Sequence, residues 1–240
     1  MKEKKNIVIL TAAGVGSRTG QDIPKQFIHI ENKPLIVYTM EAFENHPSID
    51  GIIVVCLDGW HDILRAYAKQ FNITKLVDVV SGGSTGQESI KNGVMRANEL
   101  YSEDSMLIVH DGNRGLVSSQ IISDAISTYN TYGNAVVAIP CTEAVYESED
   151  HATSTVEIPR EKLYRTQTPH IWQLGKMVWA HNEAAKKNIV NMTATCSLMK
   201  ELGDVIHFSK GSEKNMKITT VDDIDLFKDI LHSSRDNWLK

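Results

Sequence analysis

The 240-residue chain has no apolar run long enough to cross a bilayer. It also lacks an excess of positive charge. Lys and Arg number 25 against 30 Asp and Glu, and the formal net charge of -5 argues against a surface built for nucleic acid. Any cations that matter must therefore be gathered locally. Cysteine is scarce: Cys56, Cys141 and Cys196 are odd in number, far apart and without metal-ligand spacing, so they read as core thiols in a reducing compartment. No internal repeat and no low-complexity segment is present. The lysine-rich start MKEKK precedes an apolar run too short for a secretory leader, which makes the cytoplasm the expected location.

What the chain does contain is ordinary globular composition, with 42% hydrophobic and 23% charged residues, and nothing that forces more than one domain over 1–240. Short β-branched runs alternate with longer amphipathic ones: NIVIL then PLIVYTMEAFENH, GIIVVCL then WHDILRAYAKQF, KLVDVV then QESIKNGVMRANEL, SMLIVH then SSQIISDAISTY, and finally NAVVAIP. That alternation predicts an α/β fold, a mostly parallel sheet with helices on both faces and ligand sites at the carboxyl ends of its strands. After Pro140 the pattern breaks into a polar, acidic stretch at about 141–160, read as a protruding β-arm. Helices are expected over 174–187 and 193–202, then a short strand in DVIHFSK and a closing helix near Thr220, where Thr220 and Asp223 have capping-box spacing.

The first strand runs into TAAGVGSRTGQDIPKQF. Glycines just after a strand let backbone N–H groups approach an anion closely. Gly14, Gly16 and Gly20 miss the dinucleotide fingerprint, Pro24 stands against a helix there, and the P-loop order of Gly, Lys and Ser/Thr is absent. What remains is a glycine loop with Arg18 inside it and Lys25 just beyond. That pair suits a triphosphate, and suits still better the extra charge on a phosphorus under attack. A surface turn with solvated charges is the simpler alternative for a glycine loop taken alone.

AAGVGSR followed by PKQF resembles the signature of the cytidylyltransferases that make CDP-activated alditols and isoprenoid precursors. These are the 2-C-methyl-D-erythritol 4-phosphate cytidylyltransferases and the related ribitol-5-phosphate cytidylyltransferases. GG…ESI near Gly82, VHDGNR at 109–114, QTP at 167–169 and NMKITTVDD at 215–223 follow in the family's order, so the resemblance spans essentially the whole chain. It implies a Rossmann-like nucleotidyltransferase fold of the GT-A type. The implied reaction is attack by an acceptor phosphate oxygen on the α-phosphorus of CTP, with Mg²⁺ as cofactor.

The same resemblance assigns residues. Arg18, Lys25 and Lys217 would be catalytic cations; Ala12, Ala13, Gly14 and Gly16 would meet the nucleotide's phosphates; Gly82, Gly83 and Ser89 would frame the cytosine. Asp111, at the end of MLIVHD, would hold Mg²⁺, although a turn or capping aspartate is the alternative. Arg114, Arg160 and Thr168 would bind the acceptor, and His110 reads as structural. The arm would cross into a second subunit, implying a homodimer with shared sites.

Several positions depart from the family pattern. HDGNRGL replaces H-D-A-x-R-P, with Gly112, Asn113 and Gly115 expected to loosen the loop. Gly86 stands in place of an arginine, Glu143-Ala144 in place of Asp-Thr, and Ala194 where T-D-x-x-S carries a carboxylate. Because the nucleotide-handling cations and the metal aspartate are kept while most losses fall around the acceptor or in supporting positions, the expectation is a cytidylyltransferase for an alditol phosphate such as ribitol 5-phosphate, feeding a surface polymer. The alternatives are 2-C-methyl-D-erythritol 4-phosphate as acceptor, and a degenerate paralogue that binds CTP without turnover.

Overall fold

The computed structural model describes residues 2–14 and 23–235. Seven strands form the central sheet: β1 (Asn6–Ala12), β4 (Gly51–Cys56), β5 (Leu76–Ser81), β6 (Met106–Asp111), β7 (Asn134–Pro140), β10 (Tyr164–Gln173) and β11 (Phe208–Lys210). Their spatial order is β11-β7-β10-β6-β1-β4-β5, and β10 alone runs antiparallel to its neighbours. The short strands β2 (His29–Ile30) and β3 (Lys33–Pro34) pair separately.

Helices α1 (Leu35–Glu44), α2 (His61–Gln70) and α4 (Ser119–Tyr132) lie over one face. Helices α3 (Gly86–Leu100), α5 (Leu174–Lys186) and α6 (Thr195–Glu201) lie over the other. Successive strand residues point to opposite faces, which the packing respects: Val8, Leu10, Ile52, Val54 and Ile108 enter one apolar cluster, and Ile7, Ile9, Ile53, Val55 and Leu107 the other. A third cluster joins Ile30, Leu35 and Ile218 to Ile224 and Phe227 of α7 (Val221–Arg235). Asp223 Oδ2 accepts from Thr219 N and Thr220 N, and Thr220 Oγ1 accepts from Asp223 N, so the expected capping box starts α7.

The chain adds β4 and β5 on one side of β1, then returns to place β6 on the other. This reversal opens a crevice at the carboxyl ends of β1 and β6, where Thr11 lies in register with Asp111.

The polar segment after Pro140 is a two-stranded antiparallel hairpin of β8 (Val145–Glu147) and β9 (Val156–Ile158). Its tip is tied by Asp150, whose carboxylate accepts from Ala152 N, Thr153 N and the Ser148 hydroxyl. Three features differ from expectation. The strand in DVIHFSK is confined to Phe208–Lys210. The sequence pattern hid β10 altogether, because its first half is polar and Pro169 interrupts it; its register on β7 shifts between Thr166 and His170. Finally, the loop at 112–115 is closely packed rather than loosened. A Cβ on Gly112 would lie 2.8 Å from Ile36 Cδ1 and 2.9 Å from Thr11 O, and one on Gly115 would lie 2.8 Å from Tyr38 Cβ. These glycines serve close approach.

Candidate active site

Two cavities of about 210 and 240 Å³ open at the carboxyl ends of β1 and β6 and share a wall that includes Thr11, Asp111 and Lys217. The first is lined by Ala12, Ala13, Gly14, Lys25 and Ser89. The second is lined by Arg114, Gln167, Thr168, His170 and Thr195. Most of the residues expected to act together therefore do meet. Gly16 and Arg18 lie outside the described residues.

Lys25 opens a single 3-10 turn, Lys25–Phe27, after Pro24. Next to it, Gln26 is buried and its amide nitrogen donates to Ala12 O at 2.7 Å and Gly14 O at 3.2 Å. Phe27 stacks on Trp60 with ring centroids 4.4 Å apart. The turn is thus fixed to the end of β1 on one side and to the core on the other. Both anchors hold Lys25 at the first cavity.

Gly82 and Gly83 stand behind that cavity instead of lining it. Gly82 packs where a Cβ would come within 2.3 Å of Ala13 Cβ, and Gly83 N donates to Ser89 Oγ at 3.0 Å. The Ser89 hydroxyl in turn donates to Thr85 O, and Thr85 caps α3 by accepting from Glu88 N. Gly86, in the first turn of α3, lines the first cavity and so lies on the nucleotide side, with nothing within 4 Å of where a Cβ would stand.

On the shared wall, Lys217 Nζ lies 3.1 Å from Asp111 Oδ1 and Arg114 Nε lies 2.9 Å from Oδ2. Burial alone would raise the Asp111 carboxyl, but the charges of Lys217 and Arg114 outweigh it and hold the group well below the usual carboxylate range. Asp111 is therefore an anion at any physiological pH. Its backbone N–H donates to Thr168 Oγ1 at 3.0 Å, so Thr168 is fixed beside it. Among the described residues, no group of three or more His, Cys, Asp or Glu is placed to hold a metal.

The loop bearing Lys217 is held by amides, among them Asn113, which ties this segment to Ile218 instead of loosening it. Arg114 Nη1 donates to Asn215 O, Asn113 Nδ2 donates to Ile218 O, and Ile218 N donates back to Asn113 O. Asn215, wholly buried, donates to Gln167 Oε1 and Thr168 O. Burying Ile218 in the third cluster turns its neighbour Lys217 outward into the site.

His110 is structural, as expected. It is fully buried, sits edge-on to Phe43, and burial pushes its pKa down to about 3. Arg160 is exposed on the arm, donates to Thr142 O, and lines neither cavity. Ala194, where a carboxylate was expected, lines the second cavity and packs against the apolar cluster under α6.

Residues 6–233 match the family model described as 2-C-methyl-D-erythritol 4-phosphate cytidylyltransferase. A ribitol-5-phosphate cytidylyltransferase of Lacticaseibacillus paracasei is 41% identical over 92% of this chain and 95% of its own. A 2-C-methyl-D-erythritol 4-phosphate cytidylyltransferase of Clostridium botulinum is 34% identical over 95% of this chain and 97% of its own. Among solved structures, a 2-C-methyl-D-erythritol 4-phosphate cytidylyltransferase of Francisella tularensis superimposes with a TM-score of 0.76 at 27% identity, covering 93% of this chain and 98% of that one.

Proposed function

This chain belongs to the 2-C-methyl-D-erythritol 4-phosphate cytidylyltransferase family, and we propose that it transfers CMP from CTP to ribitol 5-phosphate. It is a CTP-dependent nucleotidyltransferase. An acceptor phosphate oxygen attacks the α-phosphorus, the bond to the bridging oxygen breaks, and pyrophosphate leaves. The observation that carries the reading is the pair of cavities divided by Asp111 and Lys217. Such a layout lets two anions approach from opposite sides of one cation.

Two phosphates repel, so the work of the site is charge neutralisation and in-line positioning. Lys25 serves the nucleotide phosphates in the first cavity, and Lys217 stands where both substrates meet. Arg18 is assigned alongside Lys25 from its place in the glycine loop. Thr168 and Arg114 face the acceptor cavity. Asp111 would hold Mg²⁺ together with phosphate oxygens, since that ion is commonly bound through one or two carboxylates plus substrate phosphates. When bound, the ion neutralises charge on the leaving pyrophosphate. Arg160 reaches neither cavity of its own chain, which supports a homodimer in which the arm completes the partner's acceptor side. The three free cysteines suit a reducing cytoplasm.

The acceptor assignment is supported by the 41% identity to the ribitol-5-phosphate enzyme, above the 34% to the methylerythritol one. The second reading, 2-C-methyl-D-erythritol 4-phosphate, rests on the description of the matching family model. Pyrophosphate release with CTP, Mg²⁺ and a panel of polyol phosphates tests both, with Lys25→Ala as control. Release that needs ribitol 5-phosphate and Lys25 supports the proposal. Release with the methylerythritol phosphate alone refutes it, and CTP binding without release on any acceptor would mark a degenerate paralogue.

A further inference from the structure

The second cavity contains two polar groups with no partner. His170 is 3% exposed and Thr195 is 4% exposed, yet His170 Nε2 and Thr195 Oγ1 form no hydrogen bond. Buried polar atoms are nearly always satisfied, so two orphans in one cavity need a cause. In β10, His170 lies opposite Val109 and Val136, on the face covered by α3, α5 and α6, and Thr195 begins α6 on that same face. Both line the second cavity and not the first.

We infer that His170 Nε2 and Thr195 Oγ1 read hydroxyl groups of the acceptor, at the end of its cavity away from the nucleotide. The inference rests on the proposed reaction, because charge places the acceptor phosphate at Lys217 and leaves its neutral carbon chain to extend past Thr168. His170 hydrogen-bonds the Gln167 backbone, which leaves Nε2 as the free nitrogen. Asp111, Arg114, Lys217 and His110 are the charged and titratable groups around it. Burial is the strongest influence on the ring and lowers its pKa to about 4, so the ring is neutral at working pH. A neutral ring that donates through Nδ1 presents a bare lone pair at Nε2, and only a donor satisfies it. A polyol hydroxyl is such a donor, while a methyl branch is not. Thr195 can donate or accept, so the pair discriminates hydroxyl from hydrocarbon.

His181 is a second buried histidine whose Nε2 has no partner, but its cavity is about 10 Å³, room for roughly one water. It has no access to a ligand of this size.

The test compares ribitol 5-phosphate with its monodeoxy analogues, one hydroxyl removed at a time, in wild type, His170→Phe and Thr195→Val. Wild type should disfavour at least one analogue by about tenfold or more in kcat/KM. Each variant should lower kcat/KM for ribitol 5-phosphate by roughly three- to tenfold, flatten the preference among analogues, and leave KM for CTP unchanged. Undiminished discrimination in both variants would overturn the inference while leaving the reaction intact. Absence of turnover on every polyol phosphate by wild type would overturn the reaction and the inference with it. Imidazole ¹⁵N spectra of wild type give a readout free of folding effects. The Nε2 resonance of His170 should move from a bare to a hydrogen-bonded position on adding ribitol 5-phosphate, and a resonance that stays in place contradicts the inference.

Discussion

Lys217 Nζ and Asp111 Oδ1 lie 3.1 Å apart on the wall between the two cavities, so the cation that should meet both substrates is held by a carboxylate rooted in the sheet. The lysine side chain is 45% exposed, whereas that of Arg114, on the other carboxylate oxygen, is 11% exposed. Charge is delivered by the first and geometry by the second.

Lys217→Met should therefore lower kcat by about 10²- to 10³-fold with a smaller loss of stability than removing Asp111, because the lysine side chain is 45% exposed and the carboxylate keeps its Arg114 partner. Pyrophosphate release and thermal denaturation on the same preparation separate the two effects. A large fall in melting temperature would contradict this division of roles.

Asp111→Asn should lose both. Removing the anion leaves the Arg114 guanidinium largely buried without its partner, a change that costs about 3–5 kcal/mol in buried pairs. Turnover should fall and should not be restored by raising Mg²⁺. Denaturant titration is expected to show a lower midpoint than for Lys217→Met.

Asn113→Ala should uncouple the Lys217 loop. It leaves Ile218 O without its side-chain donor in a buried setting, for which about 1–3 kcal/mol is the usual penalty. A lowered kcat with nearly unchanged KM for CTP would mark a misplaced cation, while unchanged kcat would show that Asn113 does not position it.

Glycine substitutions should split by position. Gly82→Ala drives a Cβ to 2.3 Å from Ala13 Cβ, so the backbone beneath the nucleotide cavity must move and activity should collapse. Gly86→Ala meets nothing within 4 Å and should fold normally, with about 0.5–1 kcal/mol gained from lower chain entropy. Melting temperatures of the two variants, measured side by side, decide this.

Stability should depend on the buried histidines. Burial holds His110 at about 3 and both His170 and His181 at about 4, below the ordinary 6.5. The unfolded chain then binds more protons than the folded one, so their contribution is complete above about pH 6.5 and is lost as pH falls from there toward 4. Denaturation midpoints between pH 7 and pH 4.5 should fall steadily, and a flat profile would show that these rings take up protons without unfolding.

Much of this was legible in the chain. The β-branched runs gave β1, β4, β6 and β7, because a strand buried on both faces needs a continuous apolar stretch; the valines of LVDVVS marked the edge strand β5, and the Thr220–Asp223 spacing gave the start of α7. Strand β10 was not legible, since half its residues are polar and Pro169 interrupts it, and its place in the sheet is decided by pairing with β6 and β7. The site's charged residues stood out as motifs, but Gln26 and Asn215 did not, and Asn113 reads in sequence as loosening the loop that it in fact ties down. Their role is to satisfy backbone carbonyls brought close only by folding, across sequence separations that no local pattern records. The glycines at 112 and 115 were misread for the same reason, because the crowding that requires them comes from Ile36, Thr11 and Tyr38.

The most direct test is a competition in one tube. Equal concentrations of ribitol 5-phosphate and 2-C-methyl-D-erythritol 4-phosphate are offered with limiting CTP and Mg²⁺, and the two CDP products are quantified by mass spectrometry. CDP-ribitol should form in large excess, and its formation should be abolished in Lys25→Ala. A predominance of the methylerythritol product, or none of either, would contradict the proposal.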